Sequence, residues 1–104
     1  MSNSDIADKV VSMSKSCGFS ISIKGSTITL RKSFSPKCED SFMIAEMEAK
    51  SILGMIRMMS PSIIWGTDGD GEGLGSHFGL LLGRMELHKS GCSVRILEEI
   101  RKRL

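Results

Sequence analysis

The sequence predicts one α+β domain: a mostly antiparallel sheet with helices packed on one of its faces. Three observations lead to it. Apolar residues recur at helical spacing in three stretches. They alternate strictly in several others. Glycines and prolines fall between these stretches. At 104 residues the chain fits a single domain, residues 1–104, long enough to bury a core without staples. The expected element order is α-β-β-α-β-β-β-α.

Ser4 is read as the cap of the first helix. Asp5 and Asp8 follow in the first turn, where the helix dipole favours anions. Ile6, Val10, Met13 and Cys17 then mark one face of a helix over 5–17. Gly18 suits the left-handed residue beyond its end. The period next changes to two. Phe19, Ile21 and Ile23 alternate with polar residues, as do Ile28 and Leu30. Gly25-Ser26 fits a type II′ turn, which sets Lys24 opposite Thr27, Ile23 opposite Ile28 and Ile21 opposite Leu30. All apolar residues then share one face, as a correct register requires.

A connector with a Ser35-Pro36 break leads to the second helix, starting no earlier than Pro36 and covering at least 41–59. Ala45, Ala49, Ile52, Ile56 and Met59 form its stripe, which Met43, Met47, Leu53, Met55 and Met58 are expected to widen. Residues 62–65 read as a short strand. A loop with five glycines in 66–75 follows. Phe78, Leu80 and Leu82 then alternate, Gly83-Arg84 reads as a turn, and Met85 and Leu87 alternate again, so a second hairpin is expected. The last helix begins near Gly91 or Val94 and runs to Leu104, with Val94, Leu97, Ile100 and Leu104 inward. The open sheet face would carry Ser20, Ser22, Lys24, Thr27, Thr29 and Arg31, joined by Arg84, Glu86 and His88 if the second hairpin is part of the same sheet.

Composition removes several function classes. Hydrophobic residues make up 40% and charged residues 25%, and the formal net charge of +2 is too small to demand a nucleic-acid partner. The three cysteines, Cys17, Cys38 and Cys92, have neither the number nor the spacing of a disulfide framework or zinc site. They are expected to be reduced thiols of a cytoplasmic protein. Residues 1–8 are too polar for a secretory signal, and no apolar run suits a bilayer, so no membrane role is expected. His77 and His88 lack partners at a recognised catalytic spacing. H-E-x-x-H, G-x-S-x-G and P-loop patterns do not occur. The chain is therefore read as non-enzymatic, with no cofactor and no resident metal. A sheet face without aromatic residues also argues against base stacking with single-stranded RNA.

Three segments stand out. In the glycine-rich loop, Asp68, Asp70, Glu72 and Gly73 match the first half of a calcium loop. The second half fails, because Gly79 occupies the place of the closing Glu. Its Gly-x-Gly spacings lead into a strand, which leaves no helix N-terminus for a dinucleotide phosphate. The segment His88-Lys89-Ser90-Gly91-Cys92-Ser93-Val94-Arg95 passes from strand to helix. It reads either as a capped helix or as an anion site built from Lys89, Ser90, Gly91 and Arg95. The basic end Arg101-Lys102-Arg103 complements the helix dipole or forms a small patch for nucleic acid or an acidic partner.

The run Ile64-Trp65-Gly66-Thr67-Asp68-Gly69, the glycines after it, and Leu87-His88-Lys89-Ser90-Gly91-Cys92-Ser93-Val94-Arg95 resemble a pattern of small phage and prophage accessory proteins: W-G-T-D-G, glycines, a hairpin, K-S-G and a short basic helix. The resemblance covers about the second half of the chain, with a looser similarity over 41–59. It implies a mobile-element origin and, by association, an inhibitor of a host defence complex, including anti-CRISPR proteins. It carries no catalytic residue. The expected function is protein–protein binding, with Trp65, Asp68, Asp70, Glu72, Lys89 and Arg95 at the contact. The second hairpin would bring the glycine-rich loop and the Lys89 corner together. The alternative is a nucleic-acid or nucleotide-phosphate module that uses Lys89, Ser90, Gly91, Arg95 and the basic end.

Overall fold

The chain begins its first helix, α1 (Asn3–Ser16), two residues before the expected start. Ser2 is the cap, not Ser4. The reason is reciprocity: the Asp5 amide donates to Ser2 Oγ, and the Ser2 amide donates to the Asp5 carboxylate. A cap at Ser4 would face Ala7, which has no acceptor to close the box. The other end forms as expected. Gly18 takes φ +80°, the Gly18 amide donates to Lys15 O, and the Phe19 amide donates to Ser14 O. These two bonds make a Schellman motif, which only a residue tolerant of left-handed backbone completes without strain.

The computed structural model describes residues 2–33, 39–59, 64–66, 79–87 and 91–104. The first hairpin, β1 (Ser20–Lys24) and β2 (Thr27–Ser33), has the register read from the sequence: Lys24 pairs with Thr27, Ile23 with Ile28, and Ile21 with Leu30. Gly25 has φ +58° and the φ of Ser26 is not positive, so the turn is type II′. Helix α2 (Glu39–Met59) follows, then β3 (Ile64–Gly66), β4 (Gly79–Glu86) and α3 (Gly91–Arg101). The strands form one antiparallel sheet in the order β1-β2-β4-β3. Among the described residues no helix is long and apolar enough to cross a membrane.

The α+β class and the single antiparallel sheet stand, but the second hairpin does not form. Gly83 and Arg84 lie inside β4 and pair with Leu30 and Thr29. The element order over the described residues is therefore α-β-β-α-β-β-α. What looked like a turn is a β-bulge. The seven residues Thr27–Ser33 face the eight of Gly79–Glu86, and Leu82 is the extra one: its neighbours Leu81 and Gly83 pair with the adjacent residues Arg31 and Leu30. A bulge shifts side-chain parity by one. Leu82 and Met85, three apart, are both fully buried, where a regular strand would put them on opposite faces. A two-residue turn breaks parity in the same way, so the apolar pattern alone does not separate the two. Gly83 accordingly has no positive φ.

The core lies between the sheet and the three helices. Ile28, Leu30, Leu82, Met85 and Leu87 meet Val10 of α1, Ile52 and Ile56 of α2, and Ile96 and Ile100 of α3. Helix α1 packs on both other helices, and α2 packs on β4. The opposite sheet face is polar as expected, with Ser20, Ser22, Lys24, Arg31, Arg84 and Glu86 exposed. Expected inward positions Val94 and Leu104 are exposed instead. Ile96 fills the stripe that Val94 was assigned to, because the helix begins at Gly91 and its face is counted through Ser93, Ile96, Leu97 and Ile100.

Gly25 is exposed and a Cβ there meets nothing within 4 Å, so only backbone strain opposes a side chain. Gly25→Ala should lower stability by about 1 kcal/mol, measured by urea unfolding, with the m-value unchanged. An unaltered midpoint would contradict the left-handed turn.

Candidate functional site

Helix α2 buries one side and leaves the opposite side apolar. Ala45, Ala49, Ile52, Leu53 and Ile56 are fully buried. Met43, Ile44, Met47 and Met58 are 58%, 57%, 67% and 86% exposed. Each exposed Met lies nine residues from a core residue: Met43 from Ile52, Met47 from Ile56, Met58 from Ala49. At about 100° per residue, nine residues make half a turn. The outer pole of α2 therefore carries Met43, Ile44, Met47, Ser51, Gly54 and Met58, with the exposed Asp40 on the same side in the first turn. The flanks hold further charges: Lys50 and Arg57 on one side, Glu48 on the other. Solvent-facing helix poles are ordinarily the most polar part of a helix.

This face was missed as a site because its methionines were read as a wider core stripe. The half-turn spacing was the available signal. Beside it, Met13 of α1 joins Ile44, Met47, Glu48 and Ser51 in a shallow groove of about 300 Å³. Flexible methionines around such a groove adapt to partners of varied shape, and contiguous exposed apolar surface marks contact sites on small proteins.

At the inner edge of the groove, Glu48 Oε2 lies 3.9 Å from Lys32 Nζ. Lys32 also donates to Cys17 O at 2.6 Å and sits 5.3 Å from the centre of the Phe19 ring. The lysine thus caps the carboxyl end of α1 and closes the core. Burial pushes the Cys17 thiol up, the nearby Glu48 carboxylate adds to this, and Lys32 opposes it. The thiol stays protonated at neutral pH, which is not the state of a nucleophile.

The hairpin expected to bring the contact residues together does not form, because Gly79–Glu86 is one continuous strand. The proximity argument falls with the turn. Asp68, Asp70, Glu72, Lys89 and Ser90 lie outside the described residues, as do Cys38, His77 and His88. Trp65 takes the ladder position opposite Met85. Gly91 opens α3, and Arg95 is exposed in its second turn. No group of three His, Cys, Asp or Glu suited to a metal occurs among the described residues.

The basic end of the chain is spent on the fold. Arg103 donates to Ser4 Oγ at 2.6 Å and to Glu99 Oε2 at 2.9 Å, and also pairs with Asp8. Lys102 pairs with Glu99 at 3.2 Å, and Arg101 donates to Gly25 O at 2.8 Å. The Arg103 contacts with Ser4 and Asp8 join the chain end to α1, and the Arg101 contact joins α3 to the β1–β2 turn. A phosphate would compete with all of them.

Bonds from Arg103, then Lys102, hold the Glu99 carboxyl below its usual range, and bonds with Ser2 do the same for Asp5. A depressed carboxylate stabilises the fold above its unfolded pKa, and that contribution disappears as pH falls through the folded value. The melting temperature should stay level from about pH 8 to 5 and fall below roughly pH 4, with Glu99→Gln making the fall shallower. A steep loss between pH 7 and 5.5 would assign the pH dependence to other groups. Comparison of the chain with protein-family models, curated proteins and solved structures finds no match.

Proposed function

We propose that this chain is a non-enzymatic interaction protein that works by protein–protein contact, and that the outer pole of α2 is a contact face. The four large apolar side chains exposed on this pole, Met43, Ile44, Met47 and Met58, are the observation that carries the reading. A lone domain gains nothing from exposing large apolar side chains there, whereas an interface gains from each one it buries. The W-G-T-D-G and K-S-G resemblance favours a phage or mobile-element origin, and hence inhibition of a host defence complex as the setting, in the manner of anti-CRISPR proteins. The host cytoplasm is then its place of action. The engaged basic end favours protein over nucleic acid, since Arg101, Lys102 and Arg103 already have acceptors.

The test is capture from host lysate, with and without nuclease, by the wild type and by Met47→Glu with Met58→Glu. Both sites are exposed, so the variant should fold. Capture should survive nuclease and moderate salt and fall at least about tenfold in the variant. Loss of capture on nuclease treatment would favour the alternative, phosphate contact through Lys89, Ser90, Gly91 and Arg95.

A further inference from the structure

Gly54 sits in the interior of α2, where glycine weakens a helix relative to alanine. Among the described residues nothing calls for it. Its φ is not positive, and a Cβ there would meet no atom within 4 Å. Ser51 lies one turn away on the same pole. Small residues at the middle of an exposed helix face permit another backbone to approach closely.

Ile44, Met47, Ser51, Gly54 and Met58 are spaced 3, 4, 3 and 4, the seam spacing of paired helices. The groove beside the seam supplies a receptor. Its α2 residues, Ile44, Met47, Glu48 and Ser51, stand at i, i+3, i+4 and i+7, the four corners of a hole that receives one side chain from a facing helix. A matching knob is on the same helix. Met58, 86% exposed, is about ten residues from the centre of that hole, some 16 Å at 1.5 Å per residue.

We infer that α2 pairs with α2 of a second copy, antiparallel, about a two-fold axis near Ser51 and Gly54. One register satisfies every feature. With the axis between Ser51 and Gly54, Met58 of each copy meets the hole around Met47 of the other, and Ser51 faces Gly54 at the crossing. Knob, hole and small residues are thus self-complementary, as a two-fold interface requires. A heterologous partner would need only one of them. Taking about 200 Å² for a fully exposed large apolar residue, complete burial of Ile44, Met47 and Met58 removes roughly 400 Å² per copy, and the pair reaches the order of 1,000 Å² of a specific interface with the flanking Lys50, Ser51 and Arg57 included. This inference rests on reading the pole as a contact face. The polar sheet face, on the far side of each copy, stays open to a further partner.

Sedimentation equilibrium of the full chain tests it. The wild type should show twice the 11.4 kDa chain mass at tens of micromolar. Gly54→Leu should weaken the pair by about tenfold or more. It should keep the helical circular dichroism, because leucine favours helix and the site is open. Mixing Met47→Cys chains with Met58→Cys chains should give a disulfide-linked pair that neither variant, nor the wild type with its native cysteines, gives alone. A monomer at every concentration overturns the inference. So does a dimer indifferent to Gly54→Leu, or linkage of Met47→Cys to itself. If the chain is monomeric yet Met47→Glu with Met58→Glu abolishes lysate capture, self-pairing falls and the contact face stands. If capture is also unchanged, both fall.

Discussion

The ladder between β2 and β4 is the constraint on which the rest of the structure depends. It joins strands about fifty residues apart in sequence and pairs every residue of β2 on its second side. Without it, the first hairpin would be an isolated two-stranded ribbon, marginal in water. Its bulge matters as much as its hydrogen bonds. By adding Leu82 opposite the Leu30–Arg31 step, it turns Leu82, Met85 and Leu87 to the same side as Ile28 and Leu30. That common face is the floor on which α2 packs.

The helices are held by two further ties. Lys32 closes the end of α1 from the sheet, and Arg103 reaches Ser4, Asp8 and Glu99 to close α3 onto α1. Both use a long cation whose stem packs while its head satisfies acceptors left open at helix ends or on neighbouring turns. The basic end is thus explained by the fold, which shifts attention from charge to the apolar pole of α2. That pole exists because α2 has apolar residues on two opposite sides while only one side can reach the core.

Much of the fold was legible in local chemistry. The hairpin register followed from Gly25-Ser26 and alternation, and the end of α1 followed from Gly18. Both are decided within a few residues. The Ser4 cap failed on a detail that is also local, the Ser2–Asp5 reciprocity. The second hairpin failed for a different reason. A turn at Gly83-Arg84 and a bulge at Leu82 give the same apolar pattern, and the choice depends on whether β2 has a free edge of matching length. The proximity argument for the predicted contact fell with it, since it required that turn. The α2 pole was legible in part: the half-turn spacing of its methionines from the core residues is written in the sequence, but which side faces inward is not.

By itself, then, the sequence determined the elements whose hydrogen bonds close locally: three helices, one hairpin with its register, and a polar outer sheet face. Only the tertiary structure decided that Gly83 and Arg84 lie inside a strand, which apolar side of α2 is covered, and which cations are already engaged. Those outcomes depend on contacts between residues far apart in the chain, and a sequence pattern carries the demand for such contacts without naming the partner that meets it.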